Sequence, residues 1–313
     1  MEYDTKLLPL SIDFYQPIGL NQTSSTLLSD LILNETLPPS GIPFSGKYNI
    51  FGDLIVDIDY NMVSQVSKGL INLNSGSRVI INDGISFSIN NFNIFGCEGW
   101  EGILLENDVT LNVVSCNIDD ANVLFRFGDE CQLIQSNSIY NNNTVTILLQ
   151  DISNPSIITQ FPSRIRNTER GIAASNVVGT VDVIGALNIA DANVAVQAIN
   201  SDVFFIVNWN TSVISGNIGV LLQYDGSFTG YNINLNGSTE STNPFLANTG
   251  VKSYLSNNSY LVLDNVEFTN WSSSIYNLNP GLFEVDISEC QFQLNGSGIT
   301  SIGNIGGSIV LAP

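Results

Sequence analysis

GIAASNVVGTVDVIGALNIADANV (Gly171–Val194) runs directly into AVQAINSDVFFIVNWNTSVISGNI (Ala195–Ile218), and the two align end to end. A third block opens with GVLLQYDGSFTGYNINLNGS at Gly219 and carries an insertion before it closes at Thr249. GVKSYLSNNSYLVLDNVEFTNWSSSI (Gly250–Ile275) and YNLNPGLFEVDISECQFQLNGSGI (Tyr276–Ile299) complete the series. Uninterrupted blocks are 24 to 26 residues long, a period that signals a solenoid. Each holds short alternating runs, such as Val-Asp-Val-Ile and Phe-Glu-Val-Asp-Ile, broken by Asn, Ser and Gly. That is the two-residue period of strands separated by turns. A unit this short cannot bury its own apolar face, so it must stack on its neighbours. The expected fold is all-β: a parallel β-helix with coils of 22 to 26 residues.

Composition agrees. Of 313 residues 43% are hydrophobic, enough for a continuous core, and only 12% are charged. Asn, Ser, Thr and Gly supply the polarity, and these with β-branched residues make poor helices. A disordered chain would need low hydrophobicity and high charge, so disorder is excluded. The formal net charge of -20 repels phosphate backbones and anionic lipid, which argues against nucleic acid and bilayers as partners. No apolar run approaches transmembrane length. Met1-Glu-Tyr-Asp has no basic n-region and no apolar stretch follows it, so no ordinary signal peptide is expected. The expected location is a virion or the outside of a cell, reached by another route. There is no histidine, which removes the commonest ligand of zinc, copper and haem. Cys97, Cys116, Cys131 and Cys290 form no CxxC pair and are expected as buried, reduced thiols.

Two regions are expected: an N-terminal arm or cap over residues 1–44 and a β-helix over 45–313. In the first, Ser25 is a candidate N-cap for a helix carrying Leu27, Leu28, Leu31 and Ile32 on one face, before Leu37-Pro-Pro-Ser-Gly breaks it. A solenoid needs its first coil covered, so this segment reads as a cap, an attachment arm to another subunit, or both. Coils then begin at Ser45 and Gly69, the latter lengthened by an insertion at Asn91–Glu101. Gly102–Val123 and Leu124–Val145 make two shorter ones. Ser163–Arg170 reads as a solvated connecting loop, or as an Arg patch for a carboxylate ligand.

Ile103, Ile172, Val196, Val220 and Val251 occupy the second position of the aligned blocks. They should form an aliphatic stack repeating at the strand spacing of about 4.8 Å. Val181/Val183, Phe205/Val207, Leu261/Leu263, Phe283/Val285, Leu187/Ile189, Ile233/Leu235, Val266/Phe268 and Phe292/Leu294 should fill the rest of the core. Asn117, Asn137, Asn188, Asn236, Asn270 and Asn295 recur near strand ends. There Asn tolerates left-handed backbone and can bond its equivalent one coil away. The sequons at Asn236, Asn270 and Asn295 are what an Asn- and Ser-rich chain yields by chance.

The Gly-Val and Gly-Ile starts and Asn-rich turns resemble those of right-handed parallel β-helix proteins, the group that includes pectate lyases, polygalacturonases and phage tailspikes. The likeness covers roughly residues 45–313 and implies the fold; this fold hosts both enzymes and inert stalks. Polygalacturonases use Asn-Thr-Asp, Asp-Asp, Gly-His-Gly and Arg-Ile-Lys. This chain offers Asp119-Asp120 and Arg164-Ile165-Arg166, and no histidine. The calcium-binding carboxylates and basic residue of pectate lyases have no evident counterpart.

The best carboxylate group is Glu98, Glu101, Glu106 and Asp108, with Asp119 and Asp120 one coil on. Such groups could cleave a glycosidic bond or hold Ca²⁺, with Trp100 stacking on a sugar. Against this stands the plainer reading of solvated turns and a tryptophan folded over the coil. The expectation is therefore a protein with no catalytic, cofactor or metal residues. It would be a structural or adhesion component of a virion, such as a phage fibre, spike or decoration protein, in contact with itself, other structural subunits and surface glycan. Self-association, as a trimer by analogy with tailspikes, would use residues 1–44 or the C-terminal coil. Two alternatives stay open: a polysaccharide-binding or -cleaving enzyme, and a bacterial surface or filament subunit.

Overall fold

The computed structural model describes residues 15–65, 68–96, 99–207, 212–237, 248–255, 257–302, 304–306 and 309–311. The chain winds as a parallel β-solenoid of about eleven turns. One continuous sheet bends at three corners into faces A, B and C, visited in that order each turn. Tyr48–Ile71–Ile94–Ile118–Tyr140–Ile165–Ile189 stack as directly paired residues on face A. On face B, Leu54, Val79, Ile103, Phe125, Ile147 and Ile172 do the same. Val196, Val220, Val251, Ile275 and Ile299 continue that column without a break. The expected stack Ile103, Ile172, Val196, Val220 and Val251 is thus part of one file, every member buried. Each contributes roughly 1.5–3 kcal/mol by burial, and only because coils exist above and below it.

Corners are made by residues with left-handed backbone. Among the described residues other than glycine these are mostly Asn and Asp, including Asn91, Asn137 and Asn232 between faces C and A. The side chains then bond upward from coil to coil. Between faces B and C, Asp83 Oδ1 accepts from the Asn107 N–H at 2.7 Å, Asn107 Oδ1 from Asp129 N–H at 3.1 Å, and Asp129 Oδ1 from Ser153 N–H at 2.7 Å. Of the six asparagines singled out in the sequence, Asn137 and Asn270 are left-handed. Asn188 accepts from the Val213 N–H, and Asn295 accepts from Trp271 and donates to the Phe268 carbonyl. Gly102, at φ +103, explains one of the Gly-Ile starts: a Cβ there would run into the Val123 carbonyl oxygen.

Within residues 1–44, Gln16–Ile18 already pairs with Lys47–Ile50, and Ser25–Leu27 with Asp53–Val56. The Phe44 N–H donates to Val63 O. Its described part, residues 15–44, therefore winds as a first coil, with the helix Leu28–Leu33 tucking Leu28 and Leu31 over the core end. Ser25 is not its cap. Leu27 holds that position without a side-chain bond, and Asp57 of the next coil accepts from the Ser29 N–H at 3.0 Å and from its hydroxyl.

Three other expectations need correction. Asn91–Glu101 is no insertion, since Phe92–Gly96 is a regular face A strand paired with Gly69–Leu73. Ser163–Arg170 is no loop: it carries the strand Ser156–Ser175 from face A around the corner at Asn167 to face B. There Arg-Ile-Arg reads as alternation, with Ile165 buried in the core file. Leu294 is 82% exposed and left-handed at φ 53, because it occupies a corner; the other expected core residues are buried, with Phe292 partly so. Among the described residues no helix is long and apolar enough to cross a membrane.

Candidate functional site

Asn142-Asn143-Thr144, Asn167-Thr168-Glu169, Asp191-Ala192-Asn193 and Ser215-Gly216-Asn217 recur 25, 24 and 24 residues apart. Because that is the coil length, all four triplets fall at one corner, between faces A and B. Asn142, Asn167 and Asp191 open them in left-handed backbone, at φ 56, 48 and 56. Amide ladders set the spacing. Asn167 Nδ2 donates to Asn141 Oδ1 at 2.8 Å, Asn217 Nδ2 to Asn193 Oδ1 at 2.7 Å, and Asn270 Nδ2 to Asn236 Oδ1 at 3.2 Å. Ala192, Gly216 and Gly237 keep the corner low. At Gly216 a Cβ would run into the Ala192 carbonyl oxygen, so nothing larger fits without moving the backbone.

The result is an open groove of about 920 Å³ along the solenoid axis, from Asn142 to Asn270. It crosses six coils, roughly 24 Å at the strand spacing. Among the described residues its lining is amide, hydroxyl and small side chains apart from the exposed carboxylates of Glu169 and Asp191, with no Lys, Arg or aromatic residue. On the floor, Asn143 is only 2% exposed. Its Oδ1 accepts from the Ala121 N–H at 2.9 Å, while its Nδ2 has no protein partner. A buried donor without a partner costs about 1–3 kcal/mol.

The carboxylates expected as a cluster are dispersed. Glu98 and Cys97 lie outside the described residues. Glu101 opens a face B strand and accepts from Asn122 Nδ2 at 3.3 Å. Glu106 and Asp108 lie at the opposite end of that strand, Gly102–Leu105, about 13 Å on. Asp119 and Asp120 end a face A strand. Among the described residues no three acidic, Cys or His side chains come together to hold a metal ion. Trp100 cannot stack on a sugar: it is fully buried, and its indole N–H donates to Asp119 O at 2.9 Å. Burial, with the charge of Asp120 added, pushes Asp119 up to about 6 against the pull of Lys68. Burial likewise pushes the Cys116 and Cys131 thiols up to about 11; with Cys290 they are free and buried.

Of this lining only Asn236 and Asn270 stand out in the sequence, as ladder residues, while Asn167, Thr168 and Glu169 read there as part of a connecting loop. The signal was present in the polar triplets at coil spacing. No protein-family model matches the chain, and a search of curated proteins finds no match.

Proposed function

We propose that the chain is a non-enzymatic structural and adhesion protein, a stiff shaft of the tailspike-like kind displayed on a virion or outside a cell, whose A–B groove holds an uncharged surface glycan. The observation that carries this is the row of amides on successive coils of one open corner, Asn142, Asn167, Asn193 and Asn217. Sugar hydroxyls accept and donate at once, as amides do, and a row of such bonds at about 0.5–1.5 kcal/mol each suits an extended polymer. Glu169 and Asp191 would repel uronates and sialates, and no lining cation would attract them.

Titration of neutral and anionic oligosaccharides tests the reading. Neutral chains should bind, and the pair Asn193→Ala and Asn217→Ala should weaken binding at least tenfold with the fold intact. Preference for anionic glycans, or no binding to neutral ones, would refute it. A second reading, polysaccharide cleavage, is favoured by Glu169 and Asp191 standing on successive coils of this groove. Reducing ends released by the protein, and lost in Glu169→Gln with Asp191→Asn, would establish that instead.

A further inference from the structure

Along face C the outward residues change character twice. Asn61, Ser88 and Asn112 lie one above another, the ordinary polar exterior of a solenoid in water. The same file then becomes Ile134, Ile158, Ile184, Ile206 and Tyr231, all partly exposed, and returns to polarity at Asp264 and Ser288. The apolar stretch is thus bounded at both ends, and it is about 19 Å long at the strand spacing. In these coils inward and outward apolar residues adjoin, as in Leu133-Ile134, Ile157-Ile158, Val183-Ile184 and Val203-Phe204-Phe205-Ile206. Alternation marks a sheet with one wet face, whereas near-continuous apolar runs mark a parallel sheet covered on both.

The two flanks of the stripe differ. Toward the B–C corner stand Asp182 and Asp202, and the described strands of face C hold no Lys or Arg to offset them. Toward the C–A corner, residues 160–162 bulge outward opposite Ala186 alone, and Phe161 is left 61% exposed. What covers the stripe must also satisfy its own backbone. The strands of face C spend their N–H and C=O groups on the coils above and below, so the face offers no hydrogen-bonding edge. An extended segment laid on it would bury polar groups without partners. A helix closes its own hydrogen bonds, and helices are what cover parallel sheets elsewhere. A second copy of face C fits poorly, because it brings more acids and no cation to a face of a chain with net charge -20.

We infer that the isoleucine file of face C seats a basic amphipathic helix of a partner protein, lying along the solenoid axis. The stripe is as long as about thirteen helical residues. The apolar side of the helix covers Ile134 to Tyr231, with Phe161 closing one edge, and Lys or Arg on its other flank meets Asp182 and Asp202. Arg164 and Arg166 lie past Phe161 on face A and oppose the reverse orientation. The glycan groove is on the A–B corner, so this seat and that groove are independent.

Fluorescence anisotropy tests it, with the full chain and labelled synthetic helices of about thirteen residues at about 0.15 M salt. One helix carries Leu on a single face and Lys on its flanks, a second has Glu for Lys, and a third has Ser for Leu. The first should bind at least tenfold tighter than either of the others, and gain helical circular dichroism on mixing. Ile158→Ser with Ile184→Ser, both outward, should weaken it at least tenfold while the circular dichroism of the chain is unchanged. Asp182→Lys with Asp202→Lys should invert the preference, so that the Glu helix binds the tighter. No binding of the Lys helix, equal binding of the Lys and Glu helices, or a preference that does not invert would overturn the proposal. So would a Ser helix that binds as well as the Leu one, which is charge attraction alone, or binding that survives the isoleucine replacements. A chain that self-associates by itself and is dispersed by those replacements would also overturn it, since a second copy would then fill the stripe.

Discussion

Asp119→Asn has a pH dependence whose sign the fold dictates. The carboxyl sits at the outer end of a face A strand, half-buried and next to Asp120. Burial first, and then the neighbouring charge, push it from 3.8 up to about 6. Between those values the folded chain keeps a proton that the unfolded chain has lost, so the folded state binds more protons and stability falls as pH rises through the window. The contribution is fully present below about pH 4 and is gone above about pH 6. A shift of two units corresponds to a ceiling of about 3 kcal/mol, and solvent screening of a half-exposed side chain brings this to about 1–2 kcal/mol. Asn keeps the shape and removes the charge. The variant should therefore match the wild type near pH 4 and exceed it by about 1–2 kcal/mol at pH 7.5. Urea denaturation at both pH values, at fixed chain concentration, measures the difference. An equal difference at the two pH values, or a variant less stable at pH 7.5, would refute the reasoning. Asp120→Asn added to it should leave the solenoid and glycan binding intact.

Ile172→Ala opens a cavity in the face B file and should cost about 2–5 kcal/mol. Combined with Val196→Ala directly above, the loss should depart from additivity by at least 0.5 kcal/mol or so, whereas Ile172→Ala with Ile275→Ala, several coils apart, should add. Thermal or urea unfolding reads both. Asp57→Ala removes the cap of the N-terminal helix and should cost about 0.5–2 kcal/mol. Burial alone would raise this carboxyl, but its bonds from Ser29 outweigh that and hold it below the ordinary value. The contribution is thus present above about pH 4 and lost as pH falls further.

The inward half of this protein was legible and the outward half was not, for a physical reason. An inward position meets the same demand on every coil, so Ile172, Val196, Val220 and Val251 repeat and the repeat is visible. Trp100 shows the opposite case. Its loop reads as an excursion by length alone, yet Phe92–Gly96 pairs on both sides and the indole finds Asp119 O one coil on. That partner is set by register, which spacing does not reveal. Leu294 fails similarly: alternation assigns it inward, but the corner arrives one residue earlier than the pattern implies.

Asparagine is where the two halves overlap. Asn142 and Asn167 are needed for left-handed corners, and a structural need fully accounts for their presence. The left-handed corner cannot account for Asn143, whose backbone is not left-handed; its Oδ1 serves the ladder instead, accepting from the Ala121 N–H. Nor can the core account for four isoleucines stacked on the outside of face C, since Ile157, Val183 and Phe205 already fill its inside. In a solenoid the inward repeat sets a baseline that any outward position may ignore. Departures from a uniformly polar exterior therefore mark the surfaces that the fold itself does not explain: a groove lined with amides on one corner, and Ile134, Ile158, Ile184 and Ile206 stacked outward on face C.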